Sequence, residues 1–528
     1  MLPRRLTALT ATAALTAALL PIHAASAAPS RRVPQVAGLG VADIRALLTA
    51  RKVTSVQLVE QYLRRIKAYD TAGPGLTAVI RVNERALADA RRLDAERRLG
   101  RVRGPLHGVP IVLKDNFDTA DMPTTSGSVA LRELQPPDDA EQVRRLRKAG
   151  AIVLAKTNMH EFAMNIYTIS SLGGQTRNPY DPARHPGGSS GGTGAAVAAA
   201  FAPVGMGTDT CGSIRIPAAH NNLVGLRPTL GLSSRDGVAP LAGTQDVAGP
   251  IGVSVRDVAL VLGATAGHDP KDPVTRAAIG RTPRSYEKTL RKSALRGKRI
   301  GIFTDYFATA TSDEQETAAR VRAAVTRMAE LGARTVELGA QPEILAAAAG
   351  ANRVRDEFER DLNAYLASSA QGRPASLARL EPPYDQITLA DIATSGQVTP
   401  SVLSTLRAWV GSPPLPNPSY EEKLRQRDLL KQRISDLMRA HDLDAIVYPS
   451  ITRPPTEIGV TQSYLNCRLA AFSGFPALSV PAGFTAGGLP VGVELLGRPF
   501  TEPGLLGMGY AYEQATRHRA LPPTTPPL

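Results

Sequence analysis

The sequence predicts an α/β protein. Short apolar runs alternate along the chain with stretches of helical period, the pattern of strands feeding helices. At 528 residues, with 43% hydrophobic and 21% charged side chains, the chain has the composition of an ordinary globular protein with a large core. Its 46 glycines and 42 prolines point to many irregular connections, where sites tend to be built.

The elements follow in order. Residues 1–27 read as a secretory leader: Arg4 and Arg5, an apolar run from Leu6 to Leu20, and Ala25-Ser26-Ala27 as a small-residue cleavage site. The run is shorter than the roughly 20 residues a bilayer span needs, so export is expected rather than anchoring, by the Sec or the twin-arginine route. The expected location is secreted or extracytoplasmic, with no membrane span in the mature protein. A linker occupies 28–39. Two helices then fill residues 40 to 70. Thr54-Ser55-Val56-Gln57 has the form of a capping box, and Leu58, Val59, Tyr62, Leu63 and Ile66 recur at helical spacing. A third helix runs from about Asn83 to Leu99, with Gly100 as its stop.

The strand Ile111 to Leu113 ends in Lys114. A helix over 138–149, the strand "AIVLAK" and a loop reaching Tyr180 come next. After them stand a small-residue helix (about 191 to 201), a short strand (about 203 to 206) and a loop to Ser213. Downstream, "GKRIGIFTD" is a strand followed by a helix to about Leu331, and residues 340 to 440 are mainly helical. "LDAIVYPS", "FPALSVPAGF" and "LPVGVELLG" are late strands, and a last helix covers about 503 to 517.

A net charge of +15 can signal nucleic acid or an anionic surface. The basic residues, however, are dispersed along helices ("RRLDAERRLGRVRG", "QVRRLRKAG") rather than gathered with aromatics. They read as solvated faces, and no nucleic-acid partner is expected. The two cysteines, Cys211 and Cys467, are too few for a disulfide framework and read as free thiols.

The stretch from Gly187 to Ala219, "GGSSGGTGAAVAAAFAPVGMGTDTCGSIRIPAA", carries the chemistry. A bland reading is close packing and flexible loop. A phosphate cradle is disfavoured, because the segment has no lysine and no Gly-x-x-x-x-Gly-Lys pattern. Nucleophilic catalysis is the sharper reading. A serine hydroxyl needs a base to take its proton and fixed donors for the developing oxyanion. "TDTCGS" suits the second task, since glycine lets successive N–H groups converge and a helix beginning near Ser213 adds its positive end. His185 and His220 are candidate bases without an evident orienting acid. A desolvated lysine is the other candidate, and Lys114, closing an apolar strand, fits that class. Spacing alone does not choose among them.

Three blocks add a resemblance: "PLHGVPIVLKDNFD", "HPGGSSGGTGAAVAAAFAPVGMGTDTCGSIRIPAAHNNLVGLRPT" and "GFPALSVPAGFTAGGLPVGVELLGRPF". Together they resemble the amidase signature family over about residues 40 to 517. "DEFERDLNAYLASS" and "LAGTQDVAGP" are most similar to its peptide amidase-like branch. The resemblance implies a large mixed β-sheet core covered by helices on both faces, a single catalytic domain over 40–520, and a Ser–cis-Ser–Lys triad. By motif, Lys114 is the base, Ser189 the bridging serine and Ser213 the nucleophile. Ser189 is preferred to Ser190 by its 24-position offset from Ser213. The Gly188–Ser189 peptide is then expected to be cis, a form that costs about 3–4 kcal/mol away from proline.

On this reading the backbone N–H groups of Thr210, Cys211, Gly212 and Ser213 hold the oxyanion, and no metal or organic cofactor is required. Ala163 in "HEFAMN" aligns with a substrate-contacting position of the fatty-acid amide hydrolase branch. Cys211, where the family often has glycine, reads as a packing variant. Asp209, Arg215 and Asp246 read as loop braces, and His160 as a loop residue.

The expected function is a secreted amidase that hydrolyses carboxylic amides to acid plus ammonia or amine, C-terminal peptide amides among them. Lipid- or aryl-amide hydrolysis is the alternative within the family. The glutaminase subunit of tRNA-dependent amidotransferase is the family rival, argued against by the leader because that subunit works inside the cell with partners. A basic cell-envelope binding protein without catalysis is the reading from another class. No obligate partner subunit is expected.

Overall fold

The computed structural model describes residues 34–369, 387–463 and 465–528. The expected leader over 1–27 and the first half of the 28–39 linker, residues 28–33, lie outside them. In chain order the strands are β1 (Val79–Val82), β2 (Pro110–Lys114), β3 (Ile152–Thr157), β4 (Ile169–Ser170), β5 (Gly174–Gln175), β6 (Val204–Asp209) and β7 (Val224–Arg227). Then come β8 (Val247–Gly252), β9 (Arg299–Ile302), β10 (Arg334–Glu337), β11 (Ala445–Pro449), β12 (Ala477–Phe484) and β13 (Pro490–Leu496). Strands β4 and β5 form a small hairpin, and the other eleven form one sheet in the order β1-β3-β2-β6-β8-β7-β12-β13-β11-β9-β10. The sheet is mixed: β3-β2-β6 and β11-β9-β10 run parallel, and the pairs between β6 and β11 are antiparallel.

Helices cover both faces, as β11 demonstrates. Successive strand side chains point to opposite sides. Ala445 and Val447 join an apolar cluster with the helices Ser312–Glu330 and Glu502–Thr516. Ile446 and Tyr448 join another with the helices Pro342–Gly350, Pro418–Ala440 and Arg468–Ser473. A strand buried on both faces has to be apolar throughout, which is why its sequence is a continuous run rather than an alternating one.

The capping box is formed: Gln57 N–H donates to Thr54 Oγ1 at 3.1 Å, and Thr54 N–H donates to Gln57 Oε1 at 3.0 Å. It starts the helix Ser55–Tyr69. The third helix, Ala86–Arg98, gives way to Gly100 at φ +77°. Besides the β4–β5 hairpin, which falls in the expected loop, four strands of the large sheet went unexpected: β1, β7, β8 and β10. Three are only four residues long, and β8, "VAGPIG", has the glycine and proline content of a loop. The helix expected near Ser213 begins at Arg215.

Two features position the site. Strands β2 and β6 are parallel neighbours, with Val112 opposite Gly205 and Leu113 opposite Met206. Lys114 and Asp209 therefore close adjacent strands at their carboxyl ends, where open α/β sheets place ligands. Secondly, Cys211 and Cys467 are not free thiols: they are joined in a disulfide, with Cα atoms 5.1 Å apart. With 256 positions between them, only the fold could show that they meet.

Candidate active site

Lys114 is fully buried at the end of an apolar strand. Its Nζ lies 2.7 Å from Ser189 Oγ and 2.7 Å from Thr208 Oγ1. Burial disfavours the ammonium and outweighs the Asp246 and Asp209 carboxylates nearby, bringing its pKa down to about 7. Lys156, another buried lysine, is instead ion-paired with Asp115 at 3.1 Å. Among the described residues Lys114 alone combines burial with hydroxyl partners only, and that combination yields an amine able to accept a proton.

Ser189 sits just before the helix Gly191–Ala198, whose eight residues are all buried. The Gly188–Ser189 peptide is cis. A Cβ on Gly188 would stand 2.7 Å from the Ile166 carbonyl carbon, so the chain passes too close for any other residue. His160 N–H donates to Ser189 O at 3.0 Å and fixes the same segment from the loop side. Ser190 is engaged elsewhere, its Oγ donating to Thr208 O at 3.2 Å, and its N–H meets Ser213 O at 3.3 Å. The lysine thus contacts Ser189 and not Ser190.

The Ser213 loop is held by a buried ionic brace. Asp209 accepts from Gly212 N–H at 2.8 Å, Ile214 N–H at 3.2 Å, Arg215 Nε at 3.0 Å and an Arg227 guanidinium nitrogen at 2.9 Å. Burial would raise the Asp209 carboxyl, but the Arg215 and Arg227 guanidiniums override it and hold the group well below the usual carboxylate range. Arg215 also pairs with Glu494, which accepts from the Tyr448 hydroxyl at 2.9 Å. Asp246 braces the other side, accepting from Thr210 Oγ1 at 2.5 Å and from the Leu241 and Ala242 N–H groups at 2.7 and 2.9 Å. The brace roles expected of Asp209, Arg215 and Asp246 are what these contacts amount to.

One expected oxyanion donor is spent: the Gly212 N–H serves Asp209. Gly212 itself adopts φ +90°, and a Cβ there would lie 2.6 Å from Ile216 Cδ1, so the turn admits only glycine. Cys211, expected as a packing variant, ties this loop to the head of the helix Arg468–Ser473.

The histidines stand apart from this chemistry. His185 stacks on Tyr167 with centroids 4.8 Å apart, and His220 Nε2 faces Arg453 O at 3.3 Å. Burial first, then the nearby Lys114 and His185, bring the pKa of His160 down to about 3, leaving its ring neutral. No cluster of His, Cys, Asp and Glu among the described residues could hold a metal ion.

Two cavities flank the site and share Ala163, Thr210 and Leu241. One, of about 290 Å³, contains Ser213 and is walled by Met164, Ile166, Trp409 and Phe472. The other, of about 360 Å³, contains Asn116, Thr208 and Asp246 but not Ser213. Ala163, at φ +60°, therefore stands where the two meet.

A family model described as Amidase matches residues 57–506. The chain belongs to the amidase family. Peptide amidase from Stenotrophomonas maltophilia shares its fold with a TM-score of 0.82 and 40% identity, covering 92% of this amidase and 98% of that chain. The A subunit of glutamyl-tRNA(Gln) amidotransferase from Moorella thermoacetica is 37% identical over 501 residues, 91% of this chain and 97% of its own length. The solved A subunit from Thermotoga maritima has a TM-score of 0.68 at 25% identity, covering 92% and 97% of the two chains. The large mixed sheet with helices on both faces is the fold of these neighbours, and the amidase acts on amide C–N bonds.

These relatives overturn one expectation. A reaction on glutamyl-tRNA(Gln) belongs inside the cell, and the curated relatives that span nine-tenths of this amidase carry that name. A secreted or extracytoplasmic location is therefore not kept. Among the described residues no helix is long and apolar enough to cross a membrane.

Sequence reasoning missed Thr208 and Asn116. Asn116 Nδ2 donates to Thr208 Oγ1 at 3.1 Å and so orients the second hydroxyl on Lys114. Both lie inside the blocks that carry the resemblance, "LKDN" and "GTDTCGS", but a shared partner across two strands is not a sequence pattern.

Proposed function

We propose that the amidase hydrolyses carboxylic amides, C-terminal peptide amides among them, through an acyl-enzyme on Ser213, with Ser189 and Lys114 as its proton relay. The observation that carries this is the fully buried Lys114 amine 2.7 Å from Ser189 Oγ. Lys114 takes the Ser189 proton as Ser189 takes that of Ser213. Ser213 Oγ bonds to the amide carbonyl carbon, and the carbonyl π-electrons move onto oxygen. The N–H groups of Thr210, Cys211 and Ser213 hold that oxyanion, which their placement in the braced loop favours. The relay then returns the proton to nitrogen, the C–N bond breaks, and ammonia or amine departs. Water enters by the same route in reverse and releases the acid. Ala163 borders the acyl portion.

The peptide-amide choice draws support from the 40% identity to the Stenotrophomonas maltophilia peptide amidase over nearly all of both chains. A second reading comes from the curated relatives, which are A subunits of glutamyl-tRNA(Gln) amidotransferase. On it the chain hydrolyses glutamine and works with a partner subunit. Ammonia release from N-acetyl peptide amides, aliphatic amides, aryl amides and glutamine by the purified single chain separates the two. Turnover of peptide amides by the chain alone is expected. Glutamine turnover that appears only with a partner would favour the second reading, and no ammonia from any amide, with or without a partner, would overturn both.

A further inference from the structure

The cleft containing Ser213 carries two guanidiniums, Arg355 and Arg468, and no carboxylate among its lining. Arg355 is exposed and Arg468 half-buried, and neither forms an ion pair or hydrogen bond with a described residue. The carboxylates that neighbour Arg355 in the chain are committed elsewhere. Asp356 pairs with Lys423 at 2.7 Å, Glu357 accepts from Thr244 N–H at 2.9 Å and from the Tyr420 hydroxyl, and Glu359 accepts from the N–H groups of Gly411 and Ser412.

The adjoining cavity differs. It also has charged walls, but its Arg235 is paired with Asp272, Asp361 accepts from Gly243 N–H, and Asp246 belongs to the brace. Unmatched positive charge is thus concentrated where Ser213 opens. The rest of the lining is uncharged, with Met164, Ile166, Trp409 and Phe472 among its apolar part and Asn165 and Asn352 among its polar part.

We propose that this cleft selects amides whose acyl portion carries a carboxylate, and that Arg355 and Arg468 bind it. The inference rests on the reading that Ser213 is acylated. When the departing group is ammonia, the acyl portion is the part of the substrate large enough to fill a cleft of about 290 Å³. Arginine favours carboxylate because its planar donor fork matches the two oxygens. Two guanidiniums around one anion also oppose a cationic acyl group, which would meet like charge.

The test compares ammonia release from N-acetylglutamic acid α-amide with that from its γ-methyl ester, which keeps the shape and loses the charge. The wild type should prefer the acid by about tenfold in kcat/KM at low salt, the scale of one well-made charge-assisted pair. The preference should shrink as sodium chloride is raised, because these guanidiniums are reached by solvent. In the double variant Arg355→Gln/Arg468→Gln the ratio should fall to near one, the loss being taken by the acid. Equal turnover of both amides by the wild type, or a ratio the double variant does not move, overturns this inference while amide hydrolysis stands. Turnover of neither, together with no ammonia from neutral peptide amides, overturns the acyl-enzyme reading beneath it as well.

Discussion

Thr208 Oγ1 stands as close to Lys114 Nζ as Ser189 Oγ does, 2.7 Å in each case, so the buried amine sits between two hydroxyls on adjacent segments. In the proposed relay Ser189 is the hydroxyl that passes the proton and Thr208 a positioning residue, itself oriented by Asn116 at 3.1 Å. A hydroxyl dipole facing the amine favours its charged form. The isosteric Thr208→Val is therefore expected to lower kcat/KM by about tenfold, the scale of one lost hydrogen bond, and to move the pH–rate midpoint to lower pH. Steady-state ammonia release across pH checks both, and Thr208→Ser should restore most of the loss.

The pH profile of the wild type follows from the same lysine. Protonated Lys114 cannot accept a proton, so kcat/KM should climb about tenfold per pH unit in acid. It should level off above about pH 7, where the amine is neutral. A rate that is flat from pH 5 to 9 contradicts a lysine base.

The Asp209 brace predicts a stability effect. Asp209→Asn leaves the Arg215 and Arg227 guanidiniums, both fully buried, without their shared carboxylate. Losing one partner of a buried pair costs about 3–5 kcal/mol. Urea unfolding should show that loss at neutral pH. Because the folded carboxyl is held below its unfolded value, its contribution is present above about pH 4 and fades as pH falls through the depressed value. The gap between wild type and variant should therefore narrow in acid.

The Cys211–Cys467 bond closes a loop with a sequence separation of 256 and should contribute about 2–5 kcal/mol. Thermal unfolding with and without dithiothreitol measures it. The reductant should lower the wild-type Tm to that of Cys467→Ala and leave the variant unmoved. Thiol titration of the native protein should find no free cysteine.

How far the sequence reaches is visible in these residues. Lys114 was legible as a class, a lysine closing an apolar strand, but the residues alone could not choose it, since Lys156 also closes such a run. The family blocks chose, and the fold supplied the reason: one lysine meets Asp115 and the other only hydroxyls. The braces Asp209 and Arg215 were legible because they lie within or near the loop they hold, whereas Asp246, 36 positions from Thr210, was read from its block "TQDVAGP". Their partners Arg227 and Glu494 were not, because the first arrives on β7 and the second on β13. The disulfide was hidden for the same reason. Strand β8 was hidden by its composition, since glycine and proline read locally as a turn while six ladder positions with β6 hold them extended.

The account stands on Ser213 as the atom acylated and on Lys114 as the base that makes it reactive. Fluorophosphonate labelling followed by peptide mass mapping tests both in one measurement. A single adduct on the peptide bearing Ser213 is predicted for the wild type, absent from Ser213→Ala and nearly absent from Lys114→Ala. An adduct that persists in Ser213→Ala, or full labelling of Lys114→Ala, would contradict it.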